Sequence, residues 1–267
     1  MKINMILFFF IFFFYFSSQI FVTAKDMDPK IVGGSLAKEG QFPYQVSLRR
    51  NNKHFCGGSI VNDNWILTAA HCLTGGLFDI PRFNDSNIDV VVGTNTLDEG
   101  GAFYKSKKII PHPNYSSLLI RHDIGLIQLE KPIEFNDKIK SIPLPVDDFS
   151  KFGNSAVLSG WGTTSYPGKP PNELQHIFLT VIPQKECLNT NFRITNSNIC
   201  TLNKKGEGAC HGDSGGPLVA DDVQIGIVSW GKPCAKGQPD VFTRVYSYMD
   251  WINKHIKSNE SSNSVDD

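Results

Sequence analysis

Past residue 30 the apolar positions fall in short β-branched runs, separated by clusters of Gly, Pro and Asn. The runs at 45–48, 65–68, 89–92, 124–129, 156–158, 177–181, 223–228 and 241–245 predict strands. Many short strands with no helical period between them predict an all-β chain of antiparallel barrels or sandwiches. No fixed-period repeat is visible. At 267 residues the chain is longer than one small barrel needs, which predicts two units with a break near 143–148. One helix is signalled, at the end. Ser247 and Asp250 have capping-box spacing, and Met249, Ile252 and Ile256 recur at intervals of three and four. Such a helix would dock on a barrel surface, followed by a polar tail over 258–267.

The first 24 residues have a different pattern. They hold eight of the 19 Phe residues, and residues 5–16 form twelve uninterrupted apolar positions after Lys2. Small side chains around Val22-Thr23-Ala24 complete the pattern of a secretory signal peptide cleaved after Ala24. Read instead as a membrane anchor, the run falls short of the ~20 residues a helix needs to span a bilayer. A secreted, extracellular protein with no membrane partner is expected. Lys plus Arg and Asp plus Glu are both 26, so there is no basic excess of the kind that a dedicated nucleic-acid binder needs. A 40% hydrophobic content excludes disorder for most of the chain.

Secretion changes the meaning of Cys56, Cys72, Cys187, Cys200, Cys210 and Cys234. An even count in an oxidising compartment suggests disulfides, and the absence of CxxC spacing disfavours a zinc cluster. Their order suggests three local bridges and leaves the partners open. Sequons at Asn84, Asn114 and Asn259 could carry glycans on the same route.

Candidate chemistry begins at Gly212-Asp213-Ser214-Gly215-Gly216-Pro217-Leu218. A serine between glycines can be an ordinary turn. It can also expose a hydroxyl beside backbone N–H donors, the arrangement that stabilises an oxyanion in acyl transfer. A serine nucleophile needs a base. Of seven histidines only His71 stands in a strong context, at the end of Trp65-Ile66-Leu67-Thr68-Ala69-Ala70 and before Cys72. An apolar strand ending in small residues would hold the imidazole at a rigid strand end, although the octapeptide alone reads better as a core histidine beside a structural disulfide. Asp123, at the head of the apolar run 124–129, could orient the imidazole, or could simply be a solvated strand-end charge.

Together these segments resemble the chymotrypsin-like serine protease family, and within it secreted arthropod chymotrypsins. Ile31-Val32-Gly33-Gly34, the histidine motif at 67–72, His122-Asp123-Ile124-Gly125-Leu126, the serine motif at 212–218 and Ser229-Trp230-Gly231 occur in the family's order, followed by the C-terminal helix. The resemblance covers residues 31 to 257. It implies two six-stranded antiparallel β-barrels with an active site in their cleft, and no cofactor. His71, Asp123 and Ser214 would be the catalytic triad, and the N–H groups of Gly212 and Ser214 the oxyanion hole. Disulfides would pair Cys56 with Cys72, Cys187 with Cys200 and Cys210 with Cys234. Residues 25–30 would be an activation propeptide cut between Lys30 and Ile31 by a trypsin-like protease, and the new Ile31 ammonium would pair with Asp213.

The specificity pocket implied by the resemblance has Gly208 to Ser214 on one wall and Ser229, Trp230, Gly231 and Asp240 on the other. Gly208 replaces the aspartate that selects Lys and Arg, so large apolar residues are expected; Asp240 departs from the family's glycine. It is either structural or a source of secondary basic preference. Gly93 is followed by Thr94 rather than an acidic ligand, so no calcium is expected. The segment 75–87 looks like an enlarged loop near the cleft. Expected partners are protein or peptide substrates, the activating protease and protein protease inhibitors, with the enzyme a monomer. The chain reads as a digestive enzyme. Competing readings are a venom or cascade protease and, from another class, a protease fold that has lost catalysis and serves as a binding protein.

Overall fold

A computed structural model describes residues 31–74, 88–165, 167–232 and 234–260. The leader 1–24, the segment 25–30 with Lys30, the loop 75–87 with Asn84 and the final residues 261–267 lie outside the described residues.

The first barrel contains β2 (Gln45–Arg50), β3 (Lys53–Ile60), β4 (Trp65–Thr68), β5 (Asp89–Val92), β6 (Ala102–Pro111) and β7 (Gly125–Leu129). It closes in the order β2-β3-β4-β7-β6-β5. The second half of the chain gives β8 (Ser155–Gly160), β9 (Gln175–Thr180), β10 (Asn198–Thr201), β11 (Pro217–Ala220), β12 (Val223–Gly231) and β13 (Asp240–Arg244), and the two-residue β1 (Ser35–Leu36) joins them. The seven-stranded order is β1-β9-β8-β11-β12-β13-β10. A bridge between Val181 and Thr201 brings the end of β9 against β10, so six strands curl toward closure while β1 is appended outside on β9.

Two hairpins turn on like-residue pairs. Asn51-Asn52 joins β2 to β3 and Asp221-Asp222 joins β11 to β12, all four residues with positive φ. Such two-residue turns match the right-handed twist of the flanking strands, and Asn and Asp tolerate the left-handed region better than most residues. Among the described residues the α-helices are α1 (Ala70–Thr74), α2 (Gln184–Thr190) and the C-terminal α3 (Met249–Glu260). A 3-10 turn over Val245–Tyr248 runs directly into α3, so Ser247 lies inside a helical turn and does not cap the helix from outside. Val245, Tyr248 and Ile252 of this end are buried in the core of the first barrel, so the chain's end fastens its beginning. Burying a side chain such as Ile252, 0% exposed, stabilises by about 1.5–3 kcal/mol.

Reciprocal hydrogen bonds lock the halves together. Ser159 of β8 donates to Gln45 of β2 at 2.6 Å, and Ser59 of β3 donates to Gln224 of β12 at 2.6 Å. All four residues are buried, so losing one partner would strand a polar group in a low-dielectric seam. The linker between β7 and β8 is fixed as well. Arg244 bonds Asp148, Gln184 and the carbonyls of Asn196 and Asn198.

Candidate active site

Strand β4 is buried along its whole length, and the chain turns at Ala69 into α1. His71 therefore stands in the first turn of a short helix, three residues past the end of β4, and not at the strand end where the sequence pattern places it. The Cys56–Cys72 disulfide ties this helix to β3. Asp123, two residues before β7, is 1% exposed and thus no solvated strand-end charge. Its Oδ1 accepts the His71 backbone N–H at 2.9 Å and its Oδ2 accepts the ring Nδ1–H at 2.8 Å. The second half contributes two more donors: Ser229 Oγ to Oδ2 at 2.6 Å and Thr243 Oγ1 to the Asp123 carbonyl at 2.7 Å. Sequence reasoning assigned Ser229 to the pocket wall alone and missed Thr243. Burial opposes charge on both partners, but the Asp123 charge and hydrogen bond outweigh it and raise the His71 pKa. On Asp123, burial is outweighed by His71 and Ser229, and the carboxyl is held below its usual range.

Ser214 sits on a turn that the two halves grip from both sides. Its carbonyl accepts Gly57 N–H of β3 at 2.7 Å, and Gly215 N–H donates to Val228 of β12 at 2.9 Å. Gly215 has φ +77°, and a Cβ there would lie 2.2 Å from Thr68 Oγ1, so only glycine fits. Among the described residues the N–H groups of Gly212 and Ser214 donate to no protein acceptor, as an anion-binding corner requires. No hydrogen bond joins Ser214 Oγ to His71 among them either; bonds of this kind are often long until substrate binds.

His54, absent from the sequence-based candidates, supports the same turn. Its Nε2–H donates to the Gly212 carbonyl at 3.0 Å, which leaves Nδ1 to accept the Ser47 hydroxyl at 2.9 Å. Nothing in the local sequence marks this histidine; only the β2–β3 register brings it to the turn. Burial pushes its pKa down to about 4. The unfolded chain takes up a proton on this ring near ~6.5 while the folded one resists, so stability falls as pH drops from ~6.5 toward 4. The shift corresponds to at most about 3 kcal/mol. Urea denaturation of wild type and His54→Gln from pH 7.5 to 4.5 should show a distinctly flatter profile for the variant. His71 has the opposite sign: its contribution is present below the unfolded pKa and fades as pH rises through the raised one.

Asp213 is fully buried behind the turn, its carboxylate accepting Gly162 N–H at 2.8 Å and Cys210 N–H at 2.9 Å. A Cβ on Gly162 would meet Asp213 Oδ2 at 2.1 Å. Burial raises the Asp213 pKa to about 6. Ile31 is also fully buried, packed in the core of the second half, and in this continuous chain its nitrogen belongs to a peptide bond.

Beside Ser214 opens a cavity of about 180 Å³ lined by Ala209, Cys210, His211, Val228, Ser229, Trp230, Gly231, Asp240 and Val241. The Cys210–Cys234 disulfide clamps its two walls, and Cys187–Cys200 ties α2 to β10 nearby. Gly208 stands behind Asp240 and does not line the cavity: a Cβ there would lie 2.5 Å from Asp240 Oδ2. Its lack of a side chain leaves room for the carboxylate. Asp240 Oδ2 accepts Ala209 N–H at 2.8 Å, while Oδ1 faces Gly231. Burial raises the Asp240 pKa to about 7. Thr94 and Thr96, after Gly93, direct their hydroxyls at the Glu99 carbonyl. The one ligand-like grouping among the described residues, Cys56, His71 and Cys72, contains a disulfide and so offers no thiolate to a metal.

Residues 31–252 match the family model described as Trypsin. The chain belongs to the trypsin family of serine endopeptidases. It is 48% identical over 225 residues to Chymotrypsin-2 of Vespa crabro, covering 84% of this chain and 99% of that one. It is 41% identical over 239 residues to Anionic trypsin of Bos taurus, covering 88% and 92% of the two chains. To human Trypsin-3 it is 39% identical over 238 residues, covering 88% and 75%. No described helix of this family member is long and apolar enough to cross a membrane.

Proposed function

We propose that this serine endopeptidase is secreted after loss of residues 1–24, is held as a zymogen by residues 25–30, and cleaves after large apolar residues, with digestion as its role. The observation that carries the catalytic part is the buried Asp123–His71 pair, closed by Ser229 from the other half, beside a cavity with Ser214 at its rim. Ser214 attacks the scissile carbonyl and His71 takes its proton, later delivering it to the leaving amine. Asp123 fixes the imidazole tautomer and stabilises the imidazolium, and the Gly212 and Ser214 N–H groups hold the oxyanion. Substrates are proteins and peptides, and protein protease inhibitors are natural partners for the same cleft. The enzyme acts as a monomer.

The cavity supports an apolar preference because Val228, Trp230 and Val241 line it. Asp240 supports a second, lesser activity. One of its oxygens is taken by backbone, and at about pH 7 burial leaves its carboxyl half protonated. The neutral acid tolerates an apolar side chain, while the ionised form attracts a guanidinium. The test is kcat/KM on matched peptides differing only in Phe, Leu or Arg before the scissile bond, with Ser214 labelling by an organophosphonate to count active sites. Phe or Leu should lead at all pH values, and the Arg-to-Phe ratio should rise several-fold from pH 6 to pH 8 in wild type but stay flat in Asp240→Gly. A tenfold Arg advantage, about 1.4 kcal/mol of transition-state binding, would overturn the apolar assignment. A protein that is activated and never labels would instead be the binding protein that has lost catalysis.

A further inference from the structure

The residue before Asp123 is held in an unusual way. His122 has φ +53°, in the left-handed region that residues with a Cβ seldom occupy. Ile124 N–H donates to the His122 carbonyl at 2.9 Å, closing a three-residue turn around Asp123. The ring of His122 stacks on His112 of the preceding loop at 5.1 Å between centroids and 13° between planes. Its Nδ1 lies 3.1 Å from the Tyr248 hydroxyl. His112 in turn packs against the edge of Tyr248 and against Trp251 of α3, at 5.4 and 5.1 Å, and Trp251 carries His255 at 4.8 Å. A column of rings therefore runs from the C-terminal helix to the residue preceding Asp123.

We propose that this column is a positioning device for the catalytic carboxylate: His122, stacked on His112 and bonded to Tyr248, holds the strained turn that aims Asp123 at His71. The proposal rests on the triad reading above. On its approach side the chain is tied by the mutual backbone hydrogen bonds of Ser116 and Arg121, and Ile120 also has positive φ, at 50°, so His122 is the last of these held positions before the carboxylate. Without the anchored ring, residue 122 would relax to negative φ and rotate the following peptide. The Asp123 carboxylate would then swing relative to an imidazole that α1 and the Cys56–Cys72 bond hold in place. The ionisable groups around the column are His112 at the end of the β6 side, Tyr115 in the loop, Asp123 itself, Tyr248, and His255 on α3. His112 Nδ1 accepts the Asn114 N–H at 3.2 Å, which favours its neutral form, and burial lowers its pKa in the same direction.

The experiment compares activated wild type with His122→Ala, His122→Asn and Tyr248→Phe, measuring kcat and KM separately, the acid limb of the pH–kcat profile, and thermal stability. His122→Ala should lower kcat at least about tenfold with KM within about twofold, a loss of transition-state interaction only. Its acid limb should shift to lower pH as Asp123 ceases to hold up the His71 pKa. His122→Asn should recover most of both, because Asn adopts the left-handed region readily and its amide oxygen can accept the Tyr248 hydroxyl. Equal losses in Ala and Asn, or a fall in stability with kcat and the acid limb unchanged, would overturn the proposal. If His122→Ala does not fold, Tyr248→Phe decides: wild-type kcat and acid limb would overturn it, and a smaller loss of the same kind would support it. Wild type that never reacts with an organophosphonate at Ser214 sinks the triad reading and this proposal with it. Active wild type with unaffected variants sinks this proposal alone.

Discussion

Ser214→Ala should lower kcat by about 10⁴–10⁶-fold, His71→Ala by a similar factor, and the double variant by scarcely more. The losses do not add because the nucleophile is weak without its base and the base has no function without the nucleophile. The residual rate over water, about 10³–10⁴-fold, should remain in all three, since the Gly212 and Ser214 N–H groups and the cavity are untouched. KM should move little, because neither substitution alters the cavity walls lined by Val228, Trp230 and Val241, the proposed site of ground-state binding. Steady-state kinetics with active-site titration checks this. Strictly additive losses would mean that these residues do not work as one unit.

The second large effect is activation. Cleavage after Lys30 removes three Lys and two Asp, leaving 23 basic against 24 acidic residues, and creates an ammonium on Ile31. Asp213 is fully buried, with two backbone N–H groups as its partners and its pKa raised to about 6. A buried carboxylate of this kind gains from a cation that arrives with the new terminus. The pair would also fix the 212–216 turn, whose N–H groups would receive the oxyanion on the proposed mechanism. Removing one partner of such a buried pair costs about 3–5 kcal/mol, so the uncut precursor and the cleaved Asp213→Asn variant should each be at least about 10²-fold slower than the mature enzyme. An α-amine titrates near ~8 unfolded, and a carboxylate partner raises that value. Support for the active form is therefore complete below ~8 and is lost as pH climbs through the raised folded value. The alkaline limb of kcat/KM should report it and should be missing in Asp213→Asn. A precursor as fast as the mature form would rule out the switch.

The eight runs read as strands all fall on strands, because buried β-branched runs carry their own signal. The five strands without such runs are informative. β3 is broken by Gly57-Gly58, β6 alternates with lysines, and β1, β10 and β11 are short. Their pairing comes from neighbours and from the Asn51-Asn52 and Asp221-Asp222 turns, not from composition. The pattern places a strand end where α1 stands, because Ala69 and Ala70 fit either state and one turn of helix has no period to detect. The helical turn begins at Val245, with Arg244 as its cap, three residues before the Ser247 cap that the capping-box spacing predicts.

Local chemistry carried in the chain marked His71, Asp123 and Ser214: each lies in a short motif whose glycines, small residues or apolar neighbours serve one purpose. Asp213 and Asp240 stand out only through the family resemblance, the first as the expected partner of the Ile31 ammonium and the second as a departure from the family's glycine. What the sequence could not contain is the partner of each group across the interface between halves. Ser229 and Thr243 on Asp123, His54 on Gly212 and Tyr248 on His122 are joined across separations of 106, 120, 158 and 126 residues. Contacts at such distances depend on barrel closure and strand register, properties of the whole chain. The sequence determined which groups could do chemistry; the tertiary structure decided their protonation, since burial and pairing exist only once each half closes and the two pack together.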